Sequence, residues 1–212
     1  MEAKHNNLHI VSHPLIKDKL ASIRDKKTPS PKFTALVNEV AMLMAYEITK
    51  DIPLAPIEVE TPVGMAKCEI YNHQMLLVPI LRAGIGMVNG ILNLVPSAKV
   101  GHIGIYRDEE TLLPNTYYFK IPKGAQDMDV ILIDPMLATG GSISAALDRL
   151  KAAGCSNIKL LCLVAAPEGV NYLYERHPEI PIYTAVVDEK LNEKGYIIPG
   201  LGDAGDRLFG TI

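Results

Sequence analysis

The chain carries 212 residues, 48% of them hydrophobic, with a formal net charge of −3 and a pI near 6.1. This length and apolar content fit one domain spanning 1–212 with a sizeable core, and the mild acidity excludes a broad basic face for nucleic acid or an anionic membrane. No charged-then-apolar leader and no apolar run of about 18 residues occurs, so the sequence predicts a cytoplasmic protein without a membrane or nucleic-acid partner. From the N-terminus, Leu8 to Val11 reads as extended, which argues against a metal site from His5, His9 and His13 despite their helical spacing. Ser12-His13-Pro14 reads as a helix start. Phe33, Leu36, Val37, Val40 and Met44 recur at helical spacing, giving an N-terminal helical arm over about 12–50. Pro53, Pro56, Pro62 and Gly64 punctuate 51–74, which predicts loops and short strands outside the main sheet.

From Met75 onward the pattern alternates. Strands are predicted at 75–80, 100–106, 130–133, 158–164 and 182–187, with helices at 86–94, 142–153 and 170–177. Such alternation predicts an α/β fold, a mainly parallel twisted sheet flanked by helices. The polar segment from Arg107 to Met128 is long for a strand-to-helix connection and reads as a mobile flap. Cys68, Cys155 and Cys162 have neither metal nor redox spacing, and the latter two read as small core residues.

The most informative stretch is Val130 to Ser142, Val-Ile-Leu-Ile-Asp-Pro-Met-Leu-Ala-Thr-Gly-Gly-Ser. A buried strand feeds a tight turn at a helix N-terminus, where unpaired N–H groups and the helix dipole favour an anion. Two commoner phosphate loops are excluded. Gly-Gly-Ser lacks the lysine of the nucleoside-triphosphate loop, and Gly84-Ile85-Gly86 is followed by Asn89 where the dinucleotide fingerprint needs glycine.

This stretch resembles the 5-phosphoribosyl-1-diphosphate (PRPP) signature of the type I phosphoribosyltransferases. Three further segments resemble the uracil phosphoribosyltransferase family: Val78 to Met87 its diphosphate segment, Tyr106 to Thr111 its second arginine segment, and Gly195 to Thr211 its base-binding C-terminal segment. The resemblance runs from about His13 to the end. It implies a phosphoribosyltransferase fold with a small hood built from about 51–74 and 188–212, and the reaction of uracil with PRPP to give UMP and diphosphate.

The resemblance also distributes roles. Arg82 and Arg107 contact the diphosphate, and Arg107 and Asp203 act in catalysis. Asp134, Pro135, Met136, Leu137, Ala138, Thr139, Gly140, Gly141 and Ser142 bind PRPP, with Asp134 on the ribose hydroxyls and 138–142 on the 5′-phosphate. Asp203 contacts PRPP directly or through Mg²⁺ and water, Mg²⁺ being the expected ion. Ile197, Gly202, Asp203 and Ala204 bind uracil, largely through backbone groups, which reject cytosine because its reversed donor and acceptor would leave buried polar groups unpaired. Tyr196 reads as a packing residue ahead of one that stacks on the base. Many type I relatives carry two adjacent acidic residues where this chain has Asp134-Pro135. Relatives often have Phe-Arg where this chain has Phe33-Thr34, which puts in doubt an early basic contact at a subunit interface. The resemblance further implies a homodimer or homotetramer and, as in some relatives, a GTP effector. An RNA-binding regulator on the same fold would need a basic face, which this composition lacks. A transferase for another base conflicts with the segment 195–211.

Overall fold

A computed structural model describes residues 6–107 and 114–211, apart from the side chains of Arg107 and Pro114. Strand β1 (Leu8–Ile10) precedes two helices, α1 (Pro14–Arg24) and α2 (Ser30–Ile48). His13 rather than Ser12 caps α1, its Nδ1 accepting from the Leu15 N–H at 3.2 Å. His9 lies on β1 and stacks on Tyr183, so no helix brings it to His13; His5 lies outside the described residues. Strands β2 (Ala55–Thr61) and β3 (Gly64–Ile70) form a hairpin apart from the main sheet.

The main sheet is built from β4 (Met75–Leu81), β5 (Lys99–Val100), β6 (His102–Arg107), β7 (Pro114–Lys120), β8 (Asp129–Ile133), β9 (Met136–Leu137), β10 (Ile158–Ala165) and β11 (Ile182–Val187), with β1 at one edge. Helices α3 (Ile85–Leu94), α4 (Gly141–Ala152) and α5 (Pro167–Arg176) connect these strands, and β12 (Lys190–Leu191), β13 (Ile197–Ile198) and α6 (Ala204–Phe209) complete the chain. Its order is β1-β11-β10-β8-β4-β6-β7, parallel throughout except for β7 against β6. From β4 the chain crosses to β6 on one side, and β8, β10 and β11 then build outward on the other. The order therefore reverses between β4 and β8, and open α/β sheets bind ligands beyond the carboxyl ends of strands at such a point.

Alternate residues along the strands serve two cores. Met75, Leu77, Ile131, Ile133, Leu161 and Leu163 pack with α1, α2, α3 and α6. Leu76, Val78, Ile80, Val130, Leu132, Leu160 and Cys162 pack with α4 and α5. A sheet covered on both faces explains why these strands read as continuous apolar runs. Burial pushes the Cys162 thiol up to about 12, as suits an inert core residue. The buried His177 is held between Ser144 at 2.8 Å and Lys151 at 2.7 Å, and burial followed by the Lys151 charge lowers its pKa.

Two departures from the sequence reading have physical causes. The strand expected over 100–106 is two strands, interrupted at Gly101, whose N–H turns to Leu77 O at 2.9 Å. Within the expected flap, Pro114–Lys120 is the edge strand β7 and Ala125–Asp127 a short 3-10 turn. A Cβ on Gly104 would lie 2.4 Å from the Tyr117 ring, so the glycine is the bed on which that aromatic rests across the ladder. Residues 108–113 of the expected flap lie outside the described residues.

Candidate active site

At the carboxyl end of β8 the backbone does not leave the sheet at once. Asp134 N–H donates to Leu161 O, Pro135 O accepts from Leu163 and Val164, and β9 pairs with the end of β10. This stitching carries the chain to Gly140, which caps α4 with φ at +85°, a conformation glycine adopts without Cβ strain. The first intrahelical bond runs from Ser144 N–H to Gly140 O. The helix geometry thus leaves the N–H groups of Gly141, Ser142 and Ile143 without intrahelical acceptors, and no acidic side chain occupies the first turn. That is an anion site by construction. Its rear wall is α5: a Cβ on Gly169 would lie 2.3 Å from Ala138 O.

The opposite wall comes from the C-terminal segment. Hairpin β12–β13 turns through Asn192, whose side-chain oxygen accepts from the N–H groups of Lys194 and Tyr196. Glu168 on α5 accepts from Leu191 N–H at 2.9 Å and ties the hairpin to the same helix that backs the phosphate loop. At the hairpin tip, a Cβ on Gly195 would lie 3.8 Å from the Thr139 methyl. Between the walls lies a cavity of about 500 Å³, lined by Asp134, Met136, Ala138, Thr139, Gly140, Ser142 and Ile143 on one side and Lys194, Gly195, Tyr196, Ile197 and Asp203 on the other.

Among the described residues, Asp134 and Asp203 are the carboxylates that line the cavity. Asp134 is half-buried at the strand end. Burial pushes its carboxyl up to about 7, with the Asp203 charge adding to the rise and the Met136 N–H, donating at 3.1 Å, opposing it. Asp203 caps α6, accepting from Asp206 N–H at 2.9 Å, and its side chain is exposed to the cavity. Among the described residues no cluster of three or more His, Cys, Asp or Glu could enclose a metal ion. A two-carboxylate site fits an ion that completes its shell with phosphates and water, and Mg²⁺ behaves so.

Arg82 directly follows β4, at the rim, with its side chain 58% exposed. It pairs with Asp206 at 3.2 Å, beside the Phe209 ring. Gly84 keeps this turn against the sheet: a Cβ there would lie 2.5 Å from Ile133 O. Arg82, Asp206 and Asp203 meet around Gly205, where a Cβ would approach both Asp203 Oδ1 at 3.2 Å and Arg82 Nη2 at 3.7 Å.

Of the residues expected to bind ligand, Asp134, Met136, Ala138, Thr139, Gly140, Ser142, Ile197 and Asp203 line the cavity together. Pro135 and Leu137 are buried, and their carbonyls bond to the backbone of β10 and the residue after it, so they hold the loop rather than face the cavity. Gly141 belongs to the first turn of α4, and Ala204 is buried in the core and does not line the cavity. Gly202 is exposed, and among the described residues neither of its backbone polar groups has a partner. The side chain of Arg107 lies outside the described residues. Tyr196, expected to pack, is instead 46% exposed on the cavity wall. Lys194 was missed, since a lone lysine in a polar turn carries no motif. Thr34 donates to Leu208 O at 3.3 Å within its own chain.

The uracil phosphoribosyltransferase family model matches residues 10–211. A uracil phosphoribosyltransferase of Shouchella clausii is 58% identical over 96% of this chain and 98% of its own. The solved AQ2163 protein of Aquifex aeolicus is 43% identical, with a TM-score of 0.89 over 95% of this chain and 97% of that one. A purine phosphoribosyltransferase from Pyrococcus horikoshii, 17% identical, shares the fold at a TM-score of 0.50 over 74% of this chain and 85% of its own. The chain belongs to the uracil phosphoribosyltransferase family.

Proposed function

We propose that the enzyme transfers the phosphoribosyl group of PRPP to N1 of uracil, giving UMP and diphosphate, in the cytoplasm. The observation that carries this reading is one cavity with an anion-binding helix start on one wall and Tyr196, Ile197 and Asp203 of the C-terminal segment on the other. The C1–O bond of the ribose breaks toward an oxocarbenium-like centre, as in glycoside chemistry. Positioning and electrostatics can carry most of that barrier without a nucleophilic side chain. In this reading the first turn of α4 and the Thr139 and Ser142 hydroxyls hold the 5′-phosphate, Asp134 holds the ribose hydroxyls, and Arg82 with Arg107 receives the leaving diphosphate through forked, permanently charged donors. The backbone near Ile197, Gly202 and Ala204 reads the pyrimidine edge.

Asp203 and Asp134 are the residues that would hold Mg²⁺, directly or through water. When bound, Mg²⁺ supplies charge neutralisation for the diphosphate. Arg82 exchanges its contact with Asp206 for the phosphate oxygens. A second copy of the chain would cover the β2–β3 hairpin, where Ala55, Ile57 and Val59 pair across to Ile70, Cys68 and Ala66 and leave an apolar face open; two strands alone are marginally stable in water. Sedimentation of the parent and of Val59→Asp tests this, with dissociation expected in the variant.

The deciding assay is UMP formation from labelled uracil, PRPP and Mg²⁺ by the purified protein, with and without GTP. Turnover that requires PRPP and fails with cytosine supports the assignment. No turnover under either condition overturns it.

A further inference from the structure

We propose that Arg24 and Asp188, which stand in no motif of the site, are positioning residues for base recognition: together they lock the backbone of Gly200, so that 202–204 present a fixed edge to the pyrimidine. This rests on the uracil reading of the cavity.

Asp188 follows β11 and is buried, with its side chain 4% exposed. Arg24, at the end of α1, grips it with both prongs, Nη2 to Oδ1 at 2.6 Å and Nη1 to Oδ2 at 2.8 Å. The same pair holds both polar groups of Gly200. Its N–H donates to Asp188 Oδ2 at 2.9 Å, and its carbonyl accepts from Arg24 Nη1 at 2.7 Å. Gly200 sits at φ +60°, and a Cβ there would lie 2.2 Å from Ile197 O, so only glycine fits the clamp. The next carbonyl, on Leu201, accepts from Arg207 at 2.8 Å. Arg207 also donates to Ile23 O and to Asp25 O, and lies over the Phe33 ring. Both arginines therefore fasten the loop to one place, the end of α1. The residue after this pinned pair is Gly202, whose own backbone groups are free among the described residues.

The chemistry explains why an ion pair stands here. A buried pair adds little net stability over an apolar replacement, but a planar fork fixes direction as well as distance. Reading a flat base by backbone groups needs that fixity, since a displacement of about 1 Å can cost on the order of a hundredfold in rate.

The test uses Arg24→Lys, which keeps the charge and loses the fork, and Asp188→Asn, which keeps the size and loses the charge. With uracil and PRPP varied separately, the uracil KM should rise on the order of tenfold, the PRPP KM should stay within about twofold, and the preference for uracil over cytosine should fall. Equal shifts in both KM values, or an unchanged uracil KM in a folded variant, overturn the proposal. Hydrogen–deuterium exchange of ligand-free Arg24→Lys gives a second readout independent of turnover. Faster exchange confined to 199–203 supports the clamp, and no change or a uniform rise across β8 and β10 overturns it. A parent protein that makes no UMP removes the reaction assignment, while the exchange comparison still decides whether the clamp holds the loop.

Discussion

The residues of the phosphate wall come from one stretch, Asp134 to Ile143, whereas the base wall depends on Arg24 in the first helix and on Asp188 and Arg207 far along the chain. The phosphate wall is held by backbone: Met136 N–H bonds to Asp134, the loop backbone is stitched to β10, and Gly140 turns directly into the helix that receives the anion. The base wall has two-residue strands and a short helix. Its shape is imposed by side chains from elsewhere. Binding an anion needs donors in roughly the right cradle, which one turn supplies. Reading a base needs a fixed edge, which here is braced against a separate layer of the molecule.

Four substitutions can break or sharpen this contrast. Asp203→Asn, where the two walls meet, should have the largest effect, lowering turnover about a hundredfold or more. Asparagine is as good a helix cap as aspartate, so the melting temperature should barely move; near-normal turnover removes Asp203 from the mechanism. Arg82→Ala should lower kcat/KM for PRPP by about tenfold to a hundredfold with a much smaller change for uracil. Its exposed pairing with Asp206 contributes less than about 1 kcal/mol, so stability should hold, and equal losses for both substrates would mark it as structural. Gly169→Ala pushes a methyl into the Ala138 carbonyl and should cost about 1–3 kcal/mol by denaturant titration. Its kinetic effect should fall on PRPP and spare uracil; the reverse pattern would mean that the walls are not separable.

The subtlest effect is that of Asp134→Asn on the pH dependence of stability. Burial raises the Asp134 carboxyl to about 7, above its ordinary value of 3.8. The folded state therefore holds its proton more tightly than the unfolded chain. Its contribution to stability is complete below the ordinary value and is lost as pH rises through 7. The ligand-free asparagine variant should melt above the parent at pH 8, with the gap shrinking toward pH 5. A gap independent of pH would show that Asp134 does not titrate in this window.

What could be read in advance follows the same division. The strands 75–80, 130–133 and 158–164 were legible because both faces of the sheet are covered and the runs are uniformly apolar. The phosphate turn was legible because its glycines and hydroxyls are adjacent in sequence. Strand β7 was not, since its aromatic and polar residues signal an edge only once Gly104 lies beneath Tyr117. Helix α6 is too short for a periodic signal. Arg24 and Asp188 stand in no motif, and only tertiary folding makes them partners.

That pairing spans 164 positions of sequence, and this bears on how the molecule comes into being. Synthesis proceeds from the N-terminus, and segments tend to consolidate as they emerge. The anion-binding turn is complete once β10 has joined β8 and β9. As that segment emerges α1 is already out, but neither Asp188 nor Gly200 has emerged to meet it, and β1 still lacks β11 beside it. A nascent chain thus acquires a place for phosphate before it acquires any discrimination among bases. Selectivity arrives last, when late-emerging residues return to one of the earliest helices.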